Sequence, residues 1–387
     1  MIYLDNSATT RQYPEVTREM LRYMDEFYGN PSSLYQLGVD SEKAVKKART
    51  ALQKAIGMED GRVYFTSGGT EADNMAIFGA ARALKRRGRR IVTTAVEHPA
   101  VLECCKELEK QGFEVIYVGV DRNCRLDIDA LRSAVNDETI LVSMMHVNNE
   151  AGTIMPVNEV KQIMKEKDAP GIFHCDAVQS FGKLQLCSDA DVISVSGHKI
   201  HGPKGTGAIC IREGVNIPAF ICGGGEESGK RSGTENVPAI AGFGLAAEMS
   251  EHGRRENSAS MAQMRQRLIS QLTASLDDIV INSPETAGEN AGECCSSLLN
   301  ISFLGTRGEV LLHTLEQDGI YVSTGSACSS NKKGQSHVLK AMGLKDKEIE
   351  GTLRFSFGRM NSIEEIDIAA DKVAAAVKRF RRLGSFR

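Results

Sequence analysis

Residues 171–212 read GIFHCDAVQSFGKLQLCSDADVISVSGHKIHGPKGTGAICIR. Three apolar runs stand in this stretch: Gly171–Cys175, Asp191–Ser196 and Gly207–Ile211. Each is near-continuous rather than alternating, the texture of strands covered on both faces. The first run leads into Asp176. The second ends in Ser196, with Lys199 close behind in a glycine-punctuated loop. The spacing from Asp176 to Lys199 leaves room for one crossover and a neighbouring strand. In an open α/β sheet, ligands bind outside the carboxyl ends of the strands, where both residues would lie.

Upstream, Val63–Thr66, Ile91–Val96, Glu114–Val120 and Ile140–Val147 read as four further strands. Helix-length segments Glu71–Lys85, Ala100–Gln111 and Val157–Lys167 lie between them. This alternation predicts an α/β fold built on a mostly parallel seven-stranded sheet. After Pro238 the texture changes. Helical patterns over Ile240–Glu251 and Ser258–Leu276 lead into a Gly-, Asn- and Glu-rich stretch, Ser283–Glu293. Strand-like Ser297–Phe303, helical Gly308–Gln317, and strand-like Ile320–Val322 and Leu353–Phe357 follow. The last helix, Ser362–Leu383, opens on a capping box of Ser362 and Glu365 and carries the stripe Ile366, Val373, Val377, Phe380. This part reads as a smaller α+β domain.

The 387 residues suffice for two domains, and 41% hydrophobic with 25% charged residues describes an ordinary globular protein. With 47 Lys+Arg against 50 Asp+Glu the net charge is −3, which excludes a general electrostatic nucleic-acid binder. The basic clusters Lys85–Arg90 and Lys378–Arg382 read as solvated faces. No run approaches the ~18 apolar residues of a membrane span. The N-terminus, MIYLDNSATT, lacks a signal peptide's basic start, so the expected location is the cytoplasm. Ten cysteines without CxxC, two pairs of them vicinal (Cys104-Cys105, Cys294-Cys295), fit reduced thiols and no metal site.

Five segments carry chemistry. In Val63–Asn74 a strand ends in Gly68, Gly69 and Thr70 and a helix begins at once. Free N–H groups there, with the Thr70 hydroxyl, fit a phosphate cradle, and equally a plain strand–turn–helix junction. Asp176, followed by Gln179, is either a ligand-facing carboxylate or an N-cap. Lys199 beside strand ends can lose its proton and form a Schiff base with a carbonyl. A phosphate cradle, an acid for a pyridinium nitrogen and an amine for an aldehyde are together the three handles of pyridoxal phosphate. Cys328 lies in the small, polar run Val322–Gln335 with Lys332 and Lys333 nearby, a setting for a reactive thiol or for an incidental loop cysteine. Arg354, inside apolar Leu353–Arg359, needs an anionic partner, and a substrate carboxylate is a natural one.

These strings in this order resemble the pyridoxal-phosphate-dependent cysteine desulfurases of the NifS/IscS type, among the class V aminotransferases. The matching segments are YLDNSATT (3–10), GNPSS (29–33), TSGGTEADN (66–74), EHPAV (97–101) and HVNNEAGT (146–153). HCDAVQS (174–180), SGHKIHGPKG (196–205), RSGTEN (231–236), STGSACSS (323–330) and LRFSFGR (353–359) continue the series. The resemblance implies the type I fold of pyridoxal-phosphate enzymes. Residues 15–257 would form its large domain; residues 1–14 and 258–387 would form the small one that carries the cysteine loop.

It also implies roles. Lys199 would tether the cofactor and move the Cα proton, Asp176 would pair with the pyridine nitrogen, and Gln179 would bond the ring hydroxyl. His98 would stack on the ring and serve in proton transfer. Gly69, Thr70, Ser196 and His198 would hold the phosphate, with Thr234 contributed by the other subunit of a homodimer. Asn149, also counted with the cofactor site, and Arg354 would bind the carboxylate of L-cysteine. Cys328 would take the sulfur as a persulfide, releasing L-alanine, and pass it to an acceptor protein for iron–sulfur assembly or thiolation.

The seven residues between Cys328 and Ser336 resemble the family's long-loop group. Housekeeping relatives carry a longer tail that docks the scaffold protein, whereas here the chain ends at Arg387, which leaves the acceptor open. A selenocysteine lyase or a transaminase would keep Lys199 and Asp176 without needing Cys328. A P-loop reading of Gly224–Arg231 fails because Arg231 replaces the Mg²⁺-binding hydroxyl, and because Ser232–Pro238 is expected not to open a helix.

Overall fold

The computed structural model describes residues 1–285, 292–324 and 335–384. The chain opens with β1 (Ile2–Tyr3), α1 (Pro14–Asp25) and α2 (Gln36–Ile56). Then come β2 (Gly61–Thr66), α3 (Gly69–Leu84), β3 (Arg90–Thr94), α4 (Pro99–Lys110), β4 (Glu114–Val118) and α5 (Ile128–Ala134). β5 (Thr139–Met145), α6 (Val160–Glu166), β6 (Ile172–Asp176), β7 (Val192–Ser196) and β8 (Gly207–Arg212) complete the large sheet. After it run α7 (Val237–His252), α8 (Arg254–Ser275), β9 (Ile279–Ile281), β10 (Leu298–Phe303), α9 (Gly308–Gln317) and β11 (Ile320–Tyr321). α10 (His337–Ala341), α11 (Asp346–Glu350), β12 (Thr352–Ser356) and α12 (Ile363–Arg382) close the chain.

The seven strands lie in the order β2-β8-β7-β6-β5-β3-β4. All are parallel except β8, which runs antiparallel to both neighbours. The expected mostly parallel sheet is present, with that one reversal.

Alternation along the central strands sorts their side chains. Phe173, Cys175, Ile193 and Val195 join the apolar layer shared with α2 and α7. Ile172 and Val192 face the layer of α3 and α4. By the two-residue period His174, Asp176, Ser194 and Ser196 share this second face, which aims Asp176 and Ser196 at the N-terminus of α3. A smaller antiparallel sheet, β12-β10-β9, packs its apolar face on α8, α9 and α12. The Ser362–Glu365 capping box opens α12 as expected.

One local expectation is overturned. A helix does start within Ser232–Pro238: Asn236 caps α7 by accepting from the Ala239 N–H at 3.2 Å. Pro238 suits the first turn because its missing N–H is not needed there.

α2 and α7 meet through small residues, Ala44, Ala48 and Ala51 on the first and Ala241 and Gly244 on the second. A Cβ on Gly244 would stand 2.6 Å from the Ala48 Cα. Gly244→Val therefore has to spread the helices and is expected to cost about 1–3 kcal/mol, read from the urea midpoint at unchanged m-value.

Candidate active site

A cavity of about 220 Å³ opens at the carboxyl ends of β5, β6 and β7. Its walls include Gly69, Thr70, His98, Asn149, Asp176, Gln179, Ser196, His198, Lys199 and Arg354. Every expected site residue is therefore here except two. Thr234 is exposed and does not line this cavity. Cys328 lies outside the described residues.

One end of the cavity is built where α3 begins. A Cβ on Gly69 would stand 2.6 Å from the Val178 Cγ2, so glycine lets the helix N-terminus close on the turn after β6. Opposite, the Ser196 hydroxyl is buried and has no hydrogen-bond partner among the described residues. The neighbouring His198 Nδ1 shares a proton with the Thr9 hydroxyl at 3.2 Å. Unpaired helix N–H groups and an orphaned buried hydroxyl fit a phosphate.

Asp176 ends β6 with Oδ1 accepting from the Val178 N–H at 2.9 Å. Burial, and then the nearby Asp73, push its carboxyl up to about 7. No ion pair reaches it among the described residues, and a protonated pyridine nitrogen would supply one. His98 caps α4: its Nδ1 accepts from the Ala100 N–H at 3.1 Å, so a proton on the neutral ring sits on Nε2. Burial, helped by the charges of Lys199 and His337, lowers its pKa to about 4.

Lys199 follows β7 in a short 3₁₀ turn, Gly197–Lys199. Its Nζ donates to the Ser7 carbonyl at 2.5 Å and the Ala8 carbonyl at 2.8 Å. Gln179 Nε2 donates to the same Ser7 carbonyl at 3.0 Å. Arg354 donates to Asp5 Oδ1 at 2.8 Å and to the Asn149 carbonyl at 2.9 Å. Asp5, Ser7, Asp73 and Glu97 are the residues that sequence reasoning missed. The first two belong to the quoted string YLDNSATT, and nothing local to it announces contacts with residues 198–201 or 354–356.

The chain matches the family model "Aminotransferase class-V" over residues 2–368. It is 42% identical over 385 residues to cysteine desulfurase IscS of Clostridium botulinum (strain Hall), covering 99% of this chain and 96% of that protein. The IscS of Methanosarcina thermophila is 43% identical, with 99% and 93% covered. The chain belongs to the class-V aminotransferase family. A solved NifS-like protein superposes with a TM-score of 0.90 at 37% identity, covering 98% of this chain and 99% of that one. The architecture is accordingly the type I fold of pyridoxal-phosphate enzymes, and the family's cofactor suits the donors just described.

A second set of buried acids lies beside the cavity. Glu97 Oε1 accepts from the Thr94 hydroxyl at 2.7 Å and the Met145 N–H at 3.0 Å, while Oε2 is buried without a partner among the described residues. Burial raises Glu97 to about 8, and the charges of Asp176 and Asp73 add to this. A folded-state pKa above the unfolded one means that the native state holds the extra proton, so stability is lost as pH rises through the interval from about 4.5 to about 8. Without cofactor, wild type should lose up to about 1.4 kcal/mol per pH unit more than Glu97→Gln between pH 6 and 7. Urea unfolding at the two pH values reads this difference; parallel slopes would mean Glu97 is ionised in the fold.

Proposed function

We propose that this chain is a pyridoxal-phosphate-dependent cysteine desulfurase that converts L-cysteine to L-alanine and leaves the sulfur on Cys328 as a persulfide. The observation that carries this reading is the convergence of Lys199, Asp176 and Ser196 on one cavity, in a chain whose relatives are cysteine desulfurases.

When bound, the cofactor supplies an aldehyde for amine exchange and a ring that accepts electrons from the substrate's Cα. The chain's own residues do the rest. Ser196, His198, Gly69 and Thr70 hold the phosphate. Asp176 keeps the proton on the ring nitrogen. Gln179, with one amide N–H on the Ser7 carbonyl, offers the other to the ring hydroxyl, and His98 covers the ring with Nε2 free to carry a proton. Lys199 tethers the cofactor and, once displaced by the substrate amine, moves the Cα proton. Asn149 and Arg354 orient the carboxylate. The Cys328 thiolate attacks the substrate sulfur, forming S–S as Cβ–S breaks. The carbon keeps the bonding pair and is protonated to the methyl group of alanine, so no external oxidant or reductant is needed.

The exposed Thr234 supports a homodimer in which Thr234 of the partner subunit completes the phosphate site. Exposed Leu21, Met24 and Tyr28 of the α1 region, with Leu34 and Tyr35 ahead of α2, give such a dimer apolar surface to cover. The persulfide then passes to an acceptor protein. The nine described cysteines are all unpaired thiols, which accords with a reducing cytoplasm.

Incubating the cofactor-loaded protein with L-cysteine and no acceptor should add one sulfur to Cys328, located by peptide mass spectrometry. Cys328→Ala should keep the cofactor's colour and lose alanine formation by about 10³-fold or more. Label on another cysteine, or undiminished turnover in the variant, would sink the assignment. Lys199→Ala should leave no cofactor attached after borohydride reduction.

A further inference from the structure

From the N-terminal segment, Ser7 and Ala8 line the cavity. The backbone of Ser7 is fully engaged. Its N–H donates to the Ser356 hydroxyl at 2.8 Å, and its carbonyl accepts from Lys199 and Gln179. Its side chain is not. The residue is 3% exposed, and its hydroxyl has no hydrogen-bond partner among the described residues. Burying a hydroxyl without a partner is costly, and such groups in native proteins usually await a ligand or a water.

The cavity lining holds a second unsatisfied donor. Arg354 spends Nη1 on the Asn149 carbonyl and Nη2 on Asp5, while Nε is buried with no partner among the described residues. Ser356, which fixes the Ser7 backbone, stands two residues along β12 from Arg354 and so on the same face. One more unsatisfied hydroxyl in the cavity lining, Ser196, belongs to the phosphate end and is accounted for there. Apart from Ser196, the unsatisfied donors of the lining are the Ser7 hydroxyl and the Arg354 guanidinium N–H, linked through Ser356. A carboxylate, which only accepts, answers both; an ammonium, which only donates, cannot answer the guanidinium.

We infer that Ser7 is a substrate-binding residue whose hydroxyl donates to the α-carboxylate of the amino acid, beside Arg354. This rests on the reading that the site takes an amino acid, and it adds a residue to that site. It makes the N-terminal segment part of the specificity for amino acids over simple amines.

The test uses the cofactor-loaded protein and Ser7→Ala, titrated with L-alanine and with ethylamine and followed by the cofactor's visible absorbance. The variant should bind L-alanine about tenfold more weakly and ethylamine as wild type does, with a matching rise in KM for L-cysteine and little change in kcat. Equal weakening toward both amines, or unchanged L-alanine affinity, would overturn the inference. Loss of bound cofactor in the variant would do the same, by assigning the hydroxyl to the cofactor. A wild type that binds L-alanine yet forms none from L-cysteine would refute the desulfurase reading while leaving the role of Ser7 open to confirmation by the same titration.

Discussion

A lysine ammonium at the mouth of a buried sheet needs acceptors, and the Ser7 and Ala8 carbonyls supply two of them to Lys199. That interaction ties the ends of the chain to its middle. Thr10 N–H and hydroxyl both donate to the His198 carbonyl at 2.9 Å, and the Thr10 hydroxyl accepts from the His201 N–H at 2.7 Å. On the other side of the segment, Asn6 Nδ2 donates to the Ser356 carbonyl at 2.9 Å and to Asn361 Oδ1 at 3.0 Å. Residues 5–10 thus bridge the loop after β7 and the strand β12. Lys199 and Arg354 face one cavity because the same six residues hold both.

The second constraint is electrostatic. Burial raises Asp73, Glu97 and Asp176; the charge of Asp73 adds to the rise of the other two, and that of Asp176 to the rise of Glu97. His174 sits among them with Nδ1 on the Ser143 hydroxyl and Nε2 on the Ser194 hydroxyl, both at 2.9 Å, and burial lowers it to about 4. With the surrounding acids favouring their neutral forms and the imidazole neutral, one acid at most is comfortable as an anion. On the proposed reading, the acid that would gain a cation from the cofactor is Asp176, at the open end. The low-dielectric surroundings that make a lone carboxylate unfavourable there strengthen its pairing with a ring nitrogen.

The parts legible in the sequence are those whose signal is local. The seven sheet strands announce themselves as apolar runs, and Lys199, Asp176 and Ser196 stand at or just past strand ends. α2 buries mostly small residues: Ala44, Ala48 and Ala51 pack on α7, so its buried face carries few of the large apolar side chains that mark a core helix. The reversal of β8 is invisible because a doubly covered strand reads alike in either direction. Asp5 and Ser7 could not be assigned because their partners are Arg354 and Ser356, brought near only by the tertiary fold. An ion pair across most of the chain leaves no trace in spacing.

The loop that carries Thr234 shows how such distant pairings do functional work. Its Glu227 is buried, accepts from Arg49 at 2.7 and 2.9 Å, and takes the Phe65 N–H at 2.9 Å. Glu227 and Ser228 both adopt left-handed φ, at 47° and 55°, a conformation that non-glycine residues hold only when their surroundings impose it. Four residues on, Arg231 Nε donates to Glu71 Oε1 at 2.9 Å, and Glu71 in turn accepts from the Ser67 N–H at 2.8 Å. Glu71 is in the first turn of α3, one residue after Thr70. An acid there would repel a bound phosphate, and the Arg231 guanidinium offsets that charge while fixing the turn. The segment that holds Thr234 at the surface is thereby fastened to the turn at the start of α3, where the phosphate would sit on the proposed reading. In the proposed dimer, one set of ion pairs would set the geometry of both cradles.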